Sequence, residues 1–325
     1  MTSIENQLFS VTKDNFTEQA LAVFHFQYRH NPLYRQYTDT LGIDPSSIRT
    51  LPQIPYLPIS FFKTHTVLAT DQPPEKVFES SGTTGTGGSR HYVKDADLYR
   101  KSFRTGFERS YGTITDWCVI GLLPSYLERS NSSLVMMVDE LIRESGHPNS
   151  GFYLYEHEKL YAALKRLEEG QQKTLLIGVT FALLDFAEKV SMSLQHTVVM
   201  ETGGMKGRRK EMVRQELHAF LSEKLGPPLI HAEYGMTELL SQAYSSGGGL
   251  FEPVPWMKVL VREEDDPLAV KEEGAGILNI IDLANLYSCS FLATDDTGTV
   301  GPDGGFEVSG RVDNSDIRGC SLLVV

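Results

Sequence analysis

"VFESSGTTGTGGSRHYV", residues 77–93, sets Gly82, Gly85, Gly87 and Gly88 among the hydroxyls of Ser80, Ser81, Thr83, Thr84 and Thr86. So dense a run of Gly, Ser and Thr offers no apolar face, and its glycines carry a high ordering entropy, so it continues neither a strand nor a helix. Gly/Ser tracts often serve as flexible linkers, and a tight strand-to-strand turn is the other plain reading. The setting favours a third. Val77-Phe78 leads in and Tyr92-Val93 leads out, so the run joins two strands and can curl its N–H groups around an anion, as phosphate-binding nests do.

Outward from this loop the pattern alternates. Phe16, Ala20, Leu21 and Phe24 have helical spacing, and "NPLYRQYTDTL" starts a second helix after Asn31-Pro32. Pro52, Pro55 and Pro58 then predict an extended path that docks without folding regularly. Beyond the loop, "DWCVIGLLP", "KTLLIGV", "HTVVMETGG" and "PPLIHAEYG" read as strands. Between them lie helices "SSLVMMVDELIRESG", "EHEKLYAALKRLEEG", "FALLDFAEKV" and "RKEMVRQELHAFLSEKLG", three of them closed by Gly146, Gly170 and Gly226. Such alternation predicts parallel pairing and an α/β fold of layered sheets flanked by helices. After "SSGGGLFEP" only short strands with Gly/Asp turns follow. Two domains are expected: an α/β core with a helical N-terminal segment over 1–249, and a small β subdomain over 250–325.

Composition narrows the partners. Acidic residues outnumber basic ones by 42 to 30, giving a net charge of −12, so nucleic acid is not an expected partner. The start "MTSIENQLFS" has neither a basic n-region nor an apolar h-region, and the apolar run 174–184 is half a membrane span, so a cytoplasmic chain without a membrane span is expected. Cys118, Cys289 and Cys320 match no metal spacing and no disulfide framework.

Three further loops fall where strands of an α/β sheet end, the usual place for ligands. They are "ETGGMKG" with Gly203-Gly204, "YGMTE" with Tyr234, Gly235, Thr237 and Glu238, and "ATDDTG" with Asp295-Asp296. Each alone has an ordinary reading: a turn, a core tyrosine, a helix-start carboxylate, a carboxylate-capped turn. Taken in order with the glycine loop, they resemble the adenylate-forming superfamily of acid-activating ligases. Ser80, Ser81, Gly82, Thr83, Thr84 and Gly85 look like that family's ATP phosphate loop. "YGMTE" is similar to its aromatic-Gly-x-Thr-Glu motif, "TDDTG" to its ribose motif with Asp296 in the Asp position, and "GRVD", with Arg311, to its hinge. Within the superfamily, "IPYLPISFFK", "ETGGMKGR", "HAEYGMTE" and the ending "GRVDNSDIRGCSLLVV" most resemble the acyl-protein synthetases. These are the LuxE-type fatty-acid ligases of the luminescence fatty-acid reductase complex.

The resemblance implies the large-domain fold of that superfamily, and activation of a carboxylic, chiefly fatty, acid with ATP and Mg²⁺. It gives Glu238 the metal, Thr237 the α-phosphate, Tyr234 the adenine face, Gly203 and Gly204 its edge, and Asp296 the ribose. It makes Cys320 the acyl acceptor, with an acyl reductase or acyl-transfer protein as a further partner. Two departures stand out. Gly87-Gly88 replace the family's Pro-Lys, leaving Arg90 as the next cation, and only twelve residues follow Asp313, so the family's C-terminal lid domain is expected to be absent. Two other readings stay open. His91 and Asp95 form a His-x-x-x-Asp pattern of the kind used by CoA-dependent acyltransferases, with the histidine as general base. A non-catalytic nucleotide-binding partner subunit is the third.

Overall fold

The computed structural model describes residues 3–80, 88–123, 131–203 and 212–312. Ser81, Gly82, Thr83, Thr84, Gly85, Gly204 and Cys320, each singled out above, lie outside the described residues. In chain order the elements begin with helices α1 (Ser3–Gln7), α2 (Phe16–His30) and α3 (Pro32–Thr40), strand β1 (Leu57–Pro58), helix α4 (Phe61–Thr64) and strands β2 (Lys76–Glu79) and β3 (Arg90–Val93). Helices and strands then alternate: α5 (Ala96–Tyr111), β4 (Cys118–Leu122), α6 (Ser133–Ser145), β5 (Gly151–Phe152), α7 (His157–Glu169), β6 (Thr174–Gly178), α8 (Thr180–Ala187), β7 (Thr197–Glu201), α9 (Arg214–Leu225) and β8 (His231–Tyr234). The rest is strand: β9 (Ala243–Ser245), β10 (Leu250–Pro253), β11 (Met257–Arg262), β12 (Val270–Lys271), β13 (Gly274–Asp282), β14 (Phe291–Val300) and β15 (Phe306–Arg311), with one 3₁₀ turn at Leu283–Asn285.

The chain divides into two compact units, each assembled from separate stretches. One gathers the described residues of Met1–Ser102, Thr237–Gln242 and Glu252–Asp316; the other gathers those of Phe103–Met236 and Ala243–Phe251. In the second unit the strand order is β5-β4-β6-β7-β8-β9, parallel up to β8 and antiparallel at β9. Every residue of β4 and β6 is buried, as strands covered on both faces must be. In the first unit β12, β11, β13, β14 and β15 form an antiparallel run, and β2 pairs with β3 as a separate hairpin.

Local chemistry sets the boundaries. The Asn31 side chain accepts the Tyr34 N–H and Pro32 takes the first helical position, so α3 starts where the sequence says it should. Gly146 closes α6 at φ 61° and Gly226 closes α9 at φ 93°, the left-handed conformation glycine adopts without strain. Helix α7 differs from expectation. Gly170 stays right-handed and Gln171, at φ 54°, makes the reversal one residue later, with its N–H on the Glu168 carbonyl. The proline segment is also more regular than expected. Leu51–Gln53 is a 3₁₀ turn, and Leu57 and Pro58 pair in parallel with Leu292 and Ala293 of β14. Pro58 lacks a donor, but Ile59 supplies the N–H to the Ala293 carbonyl at 2.9 Å, so the missing ladder bond is bypassed at an edge position.

Candidate active site

The segment Thr237–Gln242 belongs to the first unit and is held there almost wholly by side chains. Thr237 and Glu238 occupy a turn with no helix after it, so the helix-start reading of Glu238 falls away. Asn285 donates its amide N–H to the Glu238 carbonyl at 2.8 Å, and the His91 ring, through Nδ1, bonds the Thr237 carbonyl at 2.9 Å. Asp282 accepts the N–H groups of Leu240 (2.8 Å) and Ser241 (3.0 Å) and the Ser241 hydroxyl (2.6 Å). Trp256 closes the base by donating to Ser241 and Ser102. Asn285 is itself fixed from α2, where the Gln27 amide donates to the Asn285 and Leu286 carbonyls. Burial pushes the Asp282 carboxyl up to about 6, although the four hydrogen bonds it accepts, the fourth from the Ala284 N–H, pull the other way.

The expected phosphate loop springs from the β2–β3 hairpin. At its neck Ser80 donates its N–H to the Ser89 carbonyl at 3.0 Å, and the Ser80 hydroxyl accepts the Ser89 N–H at 2.8 Å. A Cβ on Gly88 would lie 2.3 Å from the Ser80 carbonyl oxygen, so the neck closes only because residue 88 has no side chain. Arg90, opposite Glu79 in the ladder, is exposed. His91 is fully buried against the edge of Phe62, and burial pushes its imidazole down to about 4. The Asp95 carboxylate is engaged at the start of α5, where it accepts the Asp97 N–H at 2.9 Å. A buried, neutral histidine whose ring donates to a carbonyl is arranged as a structural clamp rather than as the base of a His-x-x-x-Asp pair.

Asp296 and Arg311 face each other in register on β14 and β15, and Arg311 Nε donates to Asp296 Oδ1 at 2.9 Å. The Asp296 carboxylate is fully buried and the Arg311 side chain nearly so. Glu238 is also buried, at 1 % exposure.

In the second unit Gly203 and Tyr234 follow or end the adjacent parallel strands β7 and β8. Gly203 has φ 66° and donates its N–H to the Glu201 carboxylate at 2.7 Å. Tyr234 is buried with its ring 5.8 Å from that of Phe251. Around them sits a buried acidic pair: Glu201, with Arg214 and His218 within 3.8 Å, and Glu233, which accepts the Thr202 hydroxyl at 2.7 Å. Burial, with Glu201 adding to it, pushes the Glu233 carboxyl up to about 7 against that hydrogen bond. His91 as a clamp, Asp282, Asn285 and Glu233 were not identified from the sequence. "DLAN" at 282–285 carried the one available signal, since Asp282 caps the 3₁₀ turn by accepting the Ala284 N–H.

No protein-family model and no curated protein sequence matches the chain. Solved structures do. The 2-hydroxyisobutyryl-CoA ligase in complex with 2-HIB-AMP and CoA superposes with a TM-score of 0.69 at 14% identity, over 95% of this chain and 71% of that one. The fold is that of the adenylate-forming enzymes. ATP-bound MatB from Rhodopseudomonas palustris gives 0.54 at 15% identity over 84% of this chain. The O-succinylbenzoate coenzyme A synthetase of Bacillus subtilis, in complex with ATP and magnesium ion, gives 0.50 at 16% identity over 74% of it. The chain spans about half the length of the last two, 52% in each case. Among the described residues no helix is long and apolar enough to cross a membrane.

Proposed function

We propose that this chain activates a carboxylic acid with ATP, forming an acyl-adenylate, and passes the acyl group to a thiol. The observation that carries the reading is the first unit's own arrangement. The neck of the glycine loop, the Thr237–Glu238 turn and the Asp296–Arg311 pair belong to one compact unit, and the His91 ring on β3 bonds the Thr237 carbonyl directly.

The residues present fit a nucleotide with a divalent cation. The neck at Ser80 and Gly88 is too close for any side chain, as a loop that wraps its backbone on phosphate needs, and a carboxylate is the donor a hard cation takes. Glu238 would hold Mg²⁺, which, when bound, supplies positive charge to the phosphates. Thr237 and the N–H and hydroxyl groups of residues 80–85 would orient the α-phosphate, with Arg90 as the next cation along the chain. Asp296 would receive the ribose hydroxyls, and Tyr234, Gly203 and Gly204 keep the adenine role that the resemblance assigns.

The acid's carboxylate oxygen attacks the α-phosphorus, a P–O bond breaks and pyrophosphate leaves. Alignment and charge neutralisation dominate such a step. The acid is of the fatty class in this reading, and an acyl reductase or acyl-transfer protein is the onward partner. A thiolate attacks the acyl carbon and AMP departs, with Cys320 in that role. Arg318, two positions earlier in the sequence, would favour the thiolate. Cys118 and Cys289 are buried, and burial pushes their thiols up to about 11 and about 12, so both are inert controls.

Intact-mass spectrometry after incubation with ATP, Mg²⁺ and a panel of acids tests this. A hydroxylamine-sensitive acyl adduct is expected with a fatty acid, lost in Cys320→Ser and kept in Cys118→Ser and Cys289→Ser. An adduct that survives Cys320→Ser places the acceptor elsewhere.

A further inference from the structure

Thr237 and Glu238 are consecutive, and their two carbonyls are each taken by a buried side chain from a different part of the first unit. His91 comes from β3, 146 positions earlier, and Asn285 from the turn after β13, 47 positions later. A carbonyl oxygen only accepts, so the nitrogen facing it must carry the proton; that fixes His91 as the Nδ1–H tautomer. His91 Nε2 and Asn285 Oδ1 are then both acceptors. Both are buried without a hydrogen-bond partner among the described residues. The two residues also line one small cavity of about 10 Å³, with Asp95, Leu240, Ala284 and Ser288, which is room for a single water-sized donor. Two buried acceptors without donors weaken a core, and apolar side chains of the same volume would avoid that. What the polar pair supplies, and an apolar pair could not, is the pair of bonds to adjacent carbonyls.

We infer that His91 and Asn285 are positioning residues: a two-sided clamp on the Thr237–Glu238 main chain that aims the threonine hydroxyl and the glutamate carboxylate into the site. This rests on the acid-activating reading given above. The clamp also links that turn to the strand that leaves the glycine loop, because the residue that grips Thr237 follows Arg90 directly. A shift of either carbonyl rotates the side chains that the reaction needs. Displacements of that size lower turnover while leaving the acid's own affinity alone.

Two measurements test it. Long-range ¹H–¹⁵N NMR on the ¹⁵N-labelled wild-type protein at pH 7 is expected to show His91 neutral with its proton on Nδ1. The Nε2–H tautomer, whose bare Nδ1 cannot donate to the Thr237 carbonyl, overturns the clamp. Acid-dependent ATP–pyrophosphate exchange is then compared in three variants. His91→Leu and Asn285→Leu are each expected to lower kcat about tenfold to a hundredfold, with KM for the acid within about twofold. His91→Asn, whose amide N–H sits where Nδ1–H sat, is expected to recover most of the loss. An unchanged kcat in His91→Leu, or no recovery in His91→Asn when both fold by circular dichroism, contradicts the proposal. If the wild-type protein exchanges label with no acid, the functional reading fails, and the tautomer alone decides whether the clamp exists.

Discussion

Asp296 is the residue on which a ligand role and a structural role compete most directly. Its carboxylate is buried and already takes the Arg311 Nε–H, so it has a reason to be charged whether or not a ribose binds there. Asp296→Asn separates the two. The amide keeps the volume and one acceptor oxygen but not the charge, so the buried guanidinium loses its counter-ion and the melting temperature falls in either case. With a ribose contact the apparent KM for ATP also rises, about tenfold for one weakened charge-assisted hydrogen bond, while KM for the acid moves less than about twofold. A melting point that drops with an unmoved ATP dependence would leave Asp296 a structural partner only. The sequence showed this pair as two motif positions fifteen residues apart. It could not show that the two side chains bond each other, because that depends on strand register.

At the scale of elements, the hairpin neck and the buried carboxylates of β7 and β8 each make a prediction. Gly88→Ala puts a methyl group against the Ser80 carbonyl, a backbone atom that cannot swing aside, so the two strands must part at the mouth of the loop. The variant is expected to fold and to need about tenfold more ATP for half-maximal exchange; unchanged ATP dependence would show that the neck does not shape the loop. Glu233 acts through pH. Its carboxyl is raised from 4.5 to about 7 in the folded chain, so between those values the folded protein keeps a proton that the unfolded chain gives up. Stability therefore falls as pH rises across that window, by an amount on the order of 3 kcal/mol once pH passes 7. Glu233→Gln cannot ionise yet still accepts the Thr202 hydroxyl. It is expected to flatten that part of the profile and to unfold later than wild type at pH 8, as read by urea midpoints at pH 4.5 and 8. Parallel profiles for the two proteins would contradict the assignment. The elements themselves were largely legible. Apolar runs of strand length gave β4, β6, β7 and β8, and 3.6-residue spacing with capping residues gave α2, α3, α6 and α9. The side-chain bonds that set the Thr237–Glu238 turn were not, since a bond from Asp282 to Leu240 or from Gln27 to Asn285 leaves no periodic trace.

Across the whole molecule, the motifs that looked evenly strung along the chain are sorted by the fold. Residues 80, 90, 237, 238, 296 and 311 fall in the unit built from three separate stretches, while Gly203 and Tyr234 fall in the parallel-sheet unit. The order of motifs in the sequence held the resemblance; the grouping needed the coordinates, because Thr237–Gln242 joins residues from both ends of the chain. Under the proposed function this grouping activates a carboxylic acid, with Glu238 at the metal. Isotope exchange from labelled pyrophosphate into ATP, run with a fatty acid and Mg²⁺ on wild type and Glu238→Gln, tests that most directly. Acid-dependent exchange is expected in the wild type, with a loss of about a hundredfold or more in Glu238→Gln at an unchanged unfolding midpoint. Wild-type exchange rates in Glu238→Gln, or no exchange by the wild-type protein with any acid, would contradict it.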